Sequence, residues 1–415
     1  MTVTPAIPEP LAAERPAHQD PNVLRWLGAY ASSAMGDNVY YVALSWAAVQ
    51  AGTPSQAGLV MAASAAPRAL LMLGGGVIAD RFGPRRVLIG SNAVRCAAVV
   101  AVTVLLLVSS PGLWLLGLLA LVFGVVDAVL MPALGALPAR ITARGQLTRV
   151  QGMRGLASRL ANVVGAPIGG LCVALGGAAA AFGVAALLFA VSLPLLIALR
   201  VGRRPGEDGQ PVHSAWRELR DGLGHIRRNP VLARLVVVVA LSDLGFVGPL
   251  NVGLTLLADE RGWGASGMGW VLAGFGAGAG AVSLLLTVRG RVPRAGLVLS
   301  VTIAAGAVTI AALAYVPTVA AAVGVALAVG LLAGLGGALC GALLQTESDP
   351  GFVGRVTSVS NLFSLGLAPL TFPLTGAAVA LWGTGPVFCA SAGVCALGGI
   401  FGLCSRALRR AELPA

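Results

Sequence analysis

The chain has 415 residues, is 57% hydrophobic and 11% charged, and carries a formal charge of +12. With a mean hydropathy of +0.87, a water-soluble fold of this length would expose more apolar surface than water tolerates. All 28 basic residues are arginine, which excludes chemistry that needs lysine, such as a Walker A loop on nucleotide phosphates or a Schiff base.

Residues 1–22, rich in Pro, Ala and Glu, carry neither a basic n-region nor a cleavage site and read as a disordered tail. Twelve apolar stretches follow, at about residues 24–50, 55–78, 86–108, 113–135, 150–173, 178–200, 232–257, 265–287, 295–315, 318–345, 355–380 and 385–405. Each is long enough to cross a hydrocarbon layer of ~30 Å. Twelve is even, so both ends share a side. With the ends inside, twenty-two arginines fall on inner segments and only Arg261 on an outer one. The positive-inside rule therefore places both termini in the cytoplasm of a multi-pass protein of the cell membrane. Spread over short loops beside span ends, the arginines also suit anionic lipid, and no nucleic-acid partner is expected.

Charges inside the membrane are costly and mark working sites. In the first span, Asp37 lies near mid-depth, and Tyr30, Ser33 and Tyr41 share its face at helical offsets. Arg68 of the second span falls at a similar depth and is predicted to pair with Asp37, with Tyr40 also counted among the tyrosines of an apolar cavity. Arg95 and Asp127 fall nearer the cytoplasmic side; either they pair, or Asp127 joins the arginines of the loop after span two. In the fifth span Gly152, Ala161, Gly165, Gly169 and Gly170 recur around Pro167, a small-residue face with a kink. The longest polar interruption after the tail, residues 201–230, divides the chain into halves spanning 23–200 and 231–407, and a short tail of 408–415 closes it. Within it Trp216, Leu219, Leu223 and Ile226 predict a short amphipathic helix lying on the inner membrane surface. Asp243 in span seven matches Asp37 in depth, with Asn251 two turns on. A shift of 209 lays Pro84, Arg85, Leu88 and Ser91 on Pro293, Arg294, Leu297 and Ser300, and a shift of 202 lays Gly152, Ala166 and Pro167 on Gly354, Ala368 and Pro369. Such echoes are those of a transporter built from repeats. No histidine lies within a span, and no cysteine has a metal-ligand spacing, so no metal, no cofactor and no enzyme activity are expected.

The loop at residues 76–88, GVIADRFGPRRVL, resembles the first-loop signature of the major facilitator superfamily: Gly76, Asp80, Arg81, Gly83, Arg85 and Leu88 match in register. Ile78 and Pro84 depart from it, and Arg289 stands where the second half should repeat Asp80. The fifth-span glycines resemble the antiporter motif of that family's drug exporters, with Ala161 in place of a glycine and the proline one position late. The resemblance implies an all-α membrane protein of twelve helices, in two pseudo-symmetric six-helix halves around a central cavity lined by spans one, four, seven and ten. It implies that Asp80, Arg81 and Arg85 form a latch stabilising the outward-facing state. It also implies that Asp37, Arg68, Tyr30, Tyr41, Asp243 and Asn251 serve the proton and the substrate. The expected function is export of small lipophilic compounds by a monomer in exchange for protons. Uptake or uniport of a sugar or metabolite, and a non-transporting membrane sensor, are the rival readings.

The arginine asymmetry predicts that single cysteines placed at 109–112 and 258–264 react with a membrane-impermeant thiol reagent added outside intact cells, while cysteines at 201–230 react only after permeabilisation. Labelling of the central loop from outside would reverse the orientation.

Overall fold

The computed structural model describes residues 16–109, 112–142, 144–201, 215–289, 292–349 and 351–413. The first fifteen residues of the expected tail and residues 202–214 of the central loop lie outside these, as do the side chains of Gly76, Asp80, Trp216 and Arg289. Among the described residues there is no strand. The helices are α1 (Pro21–Ala51), α2 (Pro54–Phe82), α3 (Pro84–Val108), α4 (Leu113–Ala136), α5 (Pro138–Ile141), α6 (Leu147–Ile197), α7 (Ala215–Arg228), α8 (Pro230–Gly248), α9 (Leu254–Glu260), α10 (Gly264–Arg289), α11 (Ala295–Leu313), α12 (Val319–Glu347), α13 (Val353–Trp382), α14 (Thr384–Cys404) and α15 (Arg406–Arg409). A π turn, Pro249–Gly253, joins α8 to α9 without a break in direction.

Helix starts are written in the sequence. Proline opens α1, α2, α3 and α8, where its missing N–H costs nothing, and the side chains of Asp20, Thr53 and Asn229 accept from the first free backbone amides. Helix α6 runs for 51 residues but is two legs, broken at Gly176 and Gly177, where Gly177 has a φ of 71° that only glycine adopts easily. Nine helical segments among the described residues are long and apolar enough to cross a membrane. Counting the legs of α6 separately and adding α1 and α2, which are as long but carry more polar side chains, agrees with the twelve crossings expected.

Helices α1 to α6 pack into one bundle and α8 to α14 into another. The bundles meet along two seams, α2 against α13 and α6 against α10, and each seam exists because glycine lets backbones touch. A Cβ on Gly58 of α2 would sit 2.6 Å from the carbonyl oxygen of Phe372 in α13, and one on Gly269 of α10 would sit 2.7 Å from that of Ala166 in α6. Gly170 abuts the Ala265 carbonyl, and Gly376 abuts that of Pro54 in the same way. The four contacts are two copies of one arrangement. They fix the internal register at an offset of 206 between α6 and α13 (166 to 372, 170 to 376) and 211 between α2 and α10 (54 to 265, 58 to 269). Within the bundles, Gly124 against the Ser64 carbonyl answers to Gly330 against that of Phe275, which carries the same two offsets to α4 with α12 and to α2 with α10. The sequence echoes are therefore out of register. Pro167 answers to Pro373, one helical turn beyond Pro369, because in a chain this rich in Ala, Gly and Leu a match displaced by one turn keeps the same face.

The seam contacts lie at the end of the bundle away from most arginines. Two hydrogen bonds add to them there: Tyr41 Oη donates to Asn251 Oδ1 at 2.7 Å, and Gln50 Nε2 to Asp259 Oδ1 at 2.6 Å. At the arginine-rich end Arg85 donates to the Ile197 carbonyl at 2.5 Å, and Asn22 exchanges two hydrogen bonds with the backbone of Arg200, all three within the first bundle.

Helix α7 forms as expected, but its apolar face does not go to lipid. Ile226 is buried, and Leu219 and Leu223 pack with it into the core of the second bundle. Gly222 lets the Arg355 carbonyl approach to 2.9 Å of a Cβ position, His225 stacks on Phe352 at 4.6 Å, and Asp221 pairs with Arg355 at 3.7 Å. A protein groove with matching charges outcompetes the membrane surface for this stripe.

The glycines of α6 and α13 divide by this geometry. Gly170→Val and Gly376→Val should each lower stability in detergent micelles by about 1–3 kcal/mol, since a side chain there must push two backbones apart. Gly152→Val, where nothing lies within 4 Å, should change it by no more than about 0.5 kcal/mol. Thermal unfolding of the three variants checks the contrast.

Candidate functional site

The charged residues singled out in the first bundle come together around Arg95. Its guanidinium projects from α3 between α1 and α4, with Nη1 3.0 Å from Asp37 Oδ1 and Nη2 bonded to Asp127 Oδ1. The arginine side chain is 1% exposed, Asp127 19% and Asp37 38%. Phe123 and Phe189 lie against the guanidinium, ring centroids 5.3 and 5.6 Å from Cζ, and supply cation–π stabilisation where water is absent. One cation thus holds two acids, and only Asp37 keeps substantial access to the space outside.

The predicted Asp37–Arg68 pair is not made. Asp37 is taken by Arg95, and the buried Nε of Arg68 has no hydrogen-bond partner. Asp37 and Arg95 both lie near the middle of their helices, Pro21–Ala51 and Pro84–Val108, so Arg95 is not nearer the cytoplasmic side than Asp37. Ser33 meets Asn92 at 3.1 Å, and Asp37 and Arg95 each lie one turn further on. For Asp127, the choice left open is resolved in favour of Arg95.

Tyr41 and Asn251, also singled out, bridge the two bundles. The π turn puts Asn251 in place, and its side-chain amide also returns a hydrogen bond to the Val247 carbonyl at 2.7 Å. Tyr40 is not a cavity residue: it is 5% exposed and stacks on Phe123 at 3.7 Å. Tyr30 stacks on Trp26, and Arg154 lies over its ring at 5.3 Å. Asp243 does not share a site with Asn251; it lines a separate cavity of about 400 Å³ inside the second bundle. In the loop after span two, Gly83 has a φ of 80° and Arg81 lies over the ring of Phe82. Gly165 and Gly169 seat α6 against Asn38 and Val39 of α1, Gly170 seats it against α10, and Pro167 touches Gly269.

Uncharged partners were missed because only charge was followed through the spans. Asn92 is 2% exposed and donates to Ser192 at 3.0 Å; Ser192 donates on to the Ala29 carbonyl. Asn38 donates to Asn162 at 3.0 Å, tying α1 to α6. An asparagine within an apolar span is itself a sequence signal, since its amide must find partners there.

The fold places the chain among known proteins. It belongs to the major facilitator superfamily, whose family model matches residues 26–367, and it is therefore a multi-pass membrane transporter and not an enzyme. It is 26% identical over 373 residues to the multidrug efflux pump Tap of Mycobacterium tuberculosis (strain ATCC 25618 / H37Rv), covering 83% of this chain and 84% of that one, and equally to Tap of Mycobacterium bovis (strain BCG / Pasteur 1173P2). Among solved structures it resembles the nucleoside transporter NupG, with a TM-score of 0.72 at 12% identity over 92% of this chain and 99% of that one. A D-xylose–proton symporter gives 0.72 at 12% identity over 92% and 96%. A bacterial homologue of the human lysosomal transporter Spinster, inward-facing and occupied, gives 0.66 at 15% identity over 93% and 95%.

Arg95→Met should destabilise the protein by about 3–5 kcal/mol, because it strands two carboxylates in the bundle. Adding Asp37→Asn and Asp127→Asn should recover most of that loss, whereas Arg68→Met alone should cost about 1 kcal/mol or less. Chemical or thermal denaturation of the three variants in micelles measures the series.

Proposed function

We propose that this protein exports small, lipophilic organic compounds across the cell membrane in exchange for protons, by alternating access of a cavity between halves at 23–200 and 231–407, as a monomer. The arginine-rich end is taken as cytoplasmic. On that orientation the seams, Tyr41–Asn251 and Gln50–Asp259 close the outer side, which supports an inward-facing arrangement. Arg85 bonds within its own bundle here, in keeping with a loop whose arginines cross to the other half only when the outward-facing state forms.

The observation that carries the reading is the unequal exposure of the two acids on Arg95. Asp37 is the one that water and substrate reach. Protonating it removes one of the two ion pairs on Arg95 and leaves the guanidinium to Asp127; losing the proton restores the pair. A substrate seated against Asp37 competes with that proton, and competition at one acid is the simplest basis for antiport. Arg68 faces the same region, and Tyr30 and Tyr41 share the Asp37 face. The relationship to a multidrug efflux pump supports export over uptake of a sugar or nucleoside.

In inside-out vesicles with an acidic lumen, wild-type protein should accumulate ethidium faster than without the gradient. Asp37→Asn should remove that acceleration and leave passive exchange. Uptake that ignores the gradient in the wild type would replace antiport with a uniport reading.

A further inference from the structure

The register that relates the halves shows what became of the Arg95 site in the second bundle. The offset of 211 that holds for α2 and α10 also relates the starts of α3 and α11, at Pro84 and Ala295, and carries Arg95 to Gly306. The offset of 206 for α4 and α12 carries Asp127 to Ala333 and Phe123 to Val329. The second leg of α6 and α14 start after the corresponding positive-φ glycines, Gly177 and Gly383, which carries Phe189 to Cys395. The N-caps Asp20 and Asn229 align α1 with α8 and carry Asp37 to Phe246. All five counterparts line the cavity of about 400 Å³. The corresponding cavity of the first bundle, bordered by Asp37, Asn92 and Ser192, holds about 90 Å³. Where one bundle is filled by a guanidinium, two carboxylates and two phenyl rings, the other is hollow.

The hollow is not featureless. Asp243 is the one charged residue among those lining it, and among the described residues it has no basic partner. Ser364 sits beside its carboxylate, with Ser242, Ser360 and Asn361 also on the wall. Ile303, Ile310 and Leu332 give the cavity an apolar side, and Thr302, Gln345 and Thr357 add further polar groups elsewhere on the wall. A carboxylate at this depth needs a cation, and the volume falls within the range of about 300–1,000 Å³ of small-molecule pockets. A guest that supplies what the second bundle lacks has a cationic head and an apolar body.

We propose that the second bundle alone contains a binding site for amphiphilic organic amines, with the ammonium group on Asp243 and the hydrocarbon part in the space left open at Gly306, Val329 and Ala333. The site is separate from the Asp37–Arg95–Asp127 cluster, and every residue lining it belongs to the second bundle. It deepens the exporter reading, on which it rests for its role as a substrate site. A guest bound there moves with one half and is charge-matched by residues of that half only.

The test uses the full chain purified in maltoside micelles, titrated calorimetrically with phenylbutylamine and with its neutral analogue phenylbutanol. The amine should bind saturably, and the alcohol about tenfold more weakly or less, the loss expected of one charge-assisted hydrogen bond. Asp243→Asn should bring the amine down to the affinity of the alcohol. Gly306→Leu, placed where the nearest atom to a Cβ is 4.0 Å away, should fill the space and abolish binding of both. A cooperative thermal transition qualifies each variant as folded, and either variant alone suffices. Equal affinity for amine and alcohol, or amine binding unchanged in a folded variant, overturns the site. Loss of the site with ethidium export intact leaves the exporter reading standing, whereas amine binding without transport of any compound does the reverse.

Discussion

A guanidinium in the middle of a helix bundle decides how the first half is put together. Leaving Arg95 unpaired would cost at least ~2.5–3.5 kcal/mol even on the lenient insertion scales, so α1, α3 and α4 are held where their acids reach it. The same face continues with Ser33, Asn92 and Ser192, a line of hydrogen bonds that pins α3 between α1 and the second leg of α6. With every group ionised, one cation faces two anions. The surplus negative charge falls to Asp37, the more exposed of the pair.

The two halves share a backbone plan and differ in what fills it. Carbonyl-on-glycine contacts recur at matching positions at both seams and inside both bundles, whereas the side chains around Arg95 have no counterparts. Packing surfaces where backbones touch tolerate no Cβ, so they keep the internal symmetry. The interiors are free to diverge, and one became a charged core while the other stayed open.

Much of this was legible in the sequence. Apolar stretches, their prolines and the arginine asymmetry determine span number and ends, and the motif at 76–88 points to the family. Intramembrane acids led to Asp37 and Asp127, and helical offsets led to Tyr41 and Asn251. What failed was depth and register. Counting from the edge of an apolar stretch set Arg95 apart from Asp37, although both lie near the middle of their helices. Matching halves by identity misplaced Pro167 by a turn, because small apolar residues repeat too often to distinguish neighbouring turns. The partners of Asn38 and Asn92, and the docking of α7 on the second bundle, depend on neighbours distant in sequence and leave no local pattern.

The glycine seams also set what kind of motion the molecule can make. A contact between two side chains can slip through changes of rotamer; a carbonyl oxygen resting on a glycine Cα cannot, and both seams are built that way. With the seams near one end of helices of about 29 residues, or about 43 Å at 1.5 Å per residue, the bundles act as a pair of levers on two pins. A tilt of about 10° at the pins displaces the far ends by about 7 Å, the width of a small organic molecule, and opening the outer side must part each seam as a whole backbone surface at once.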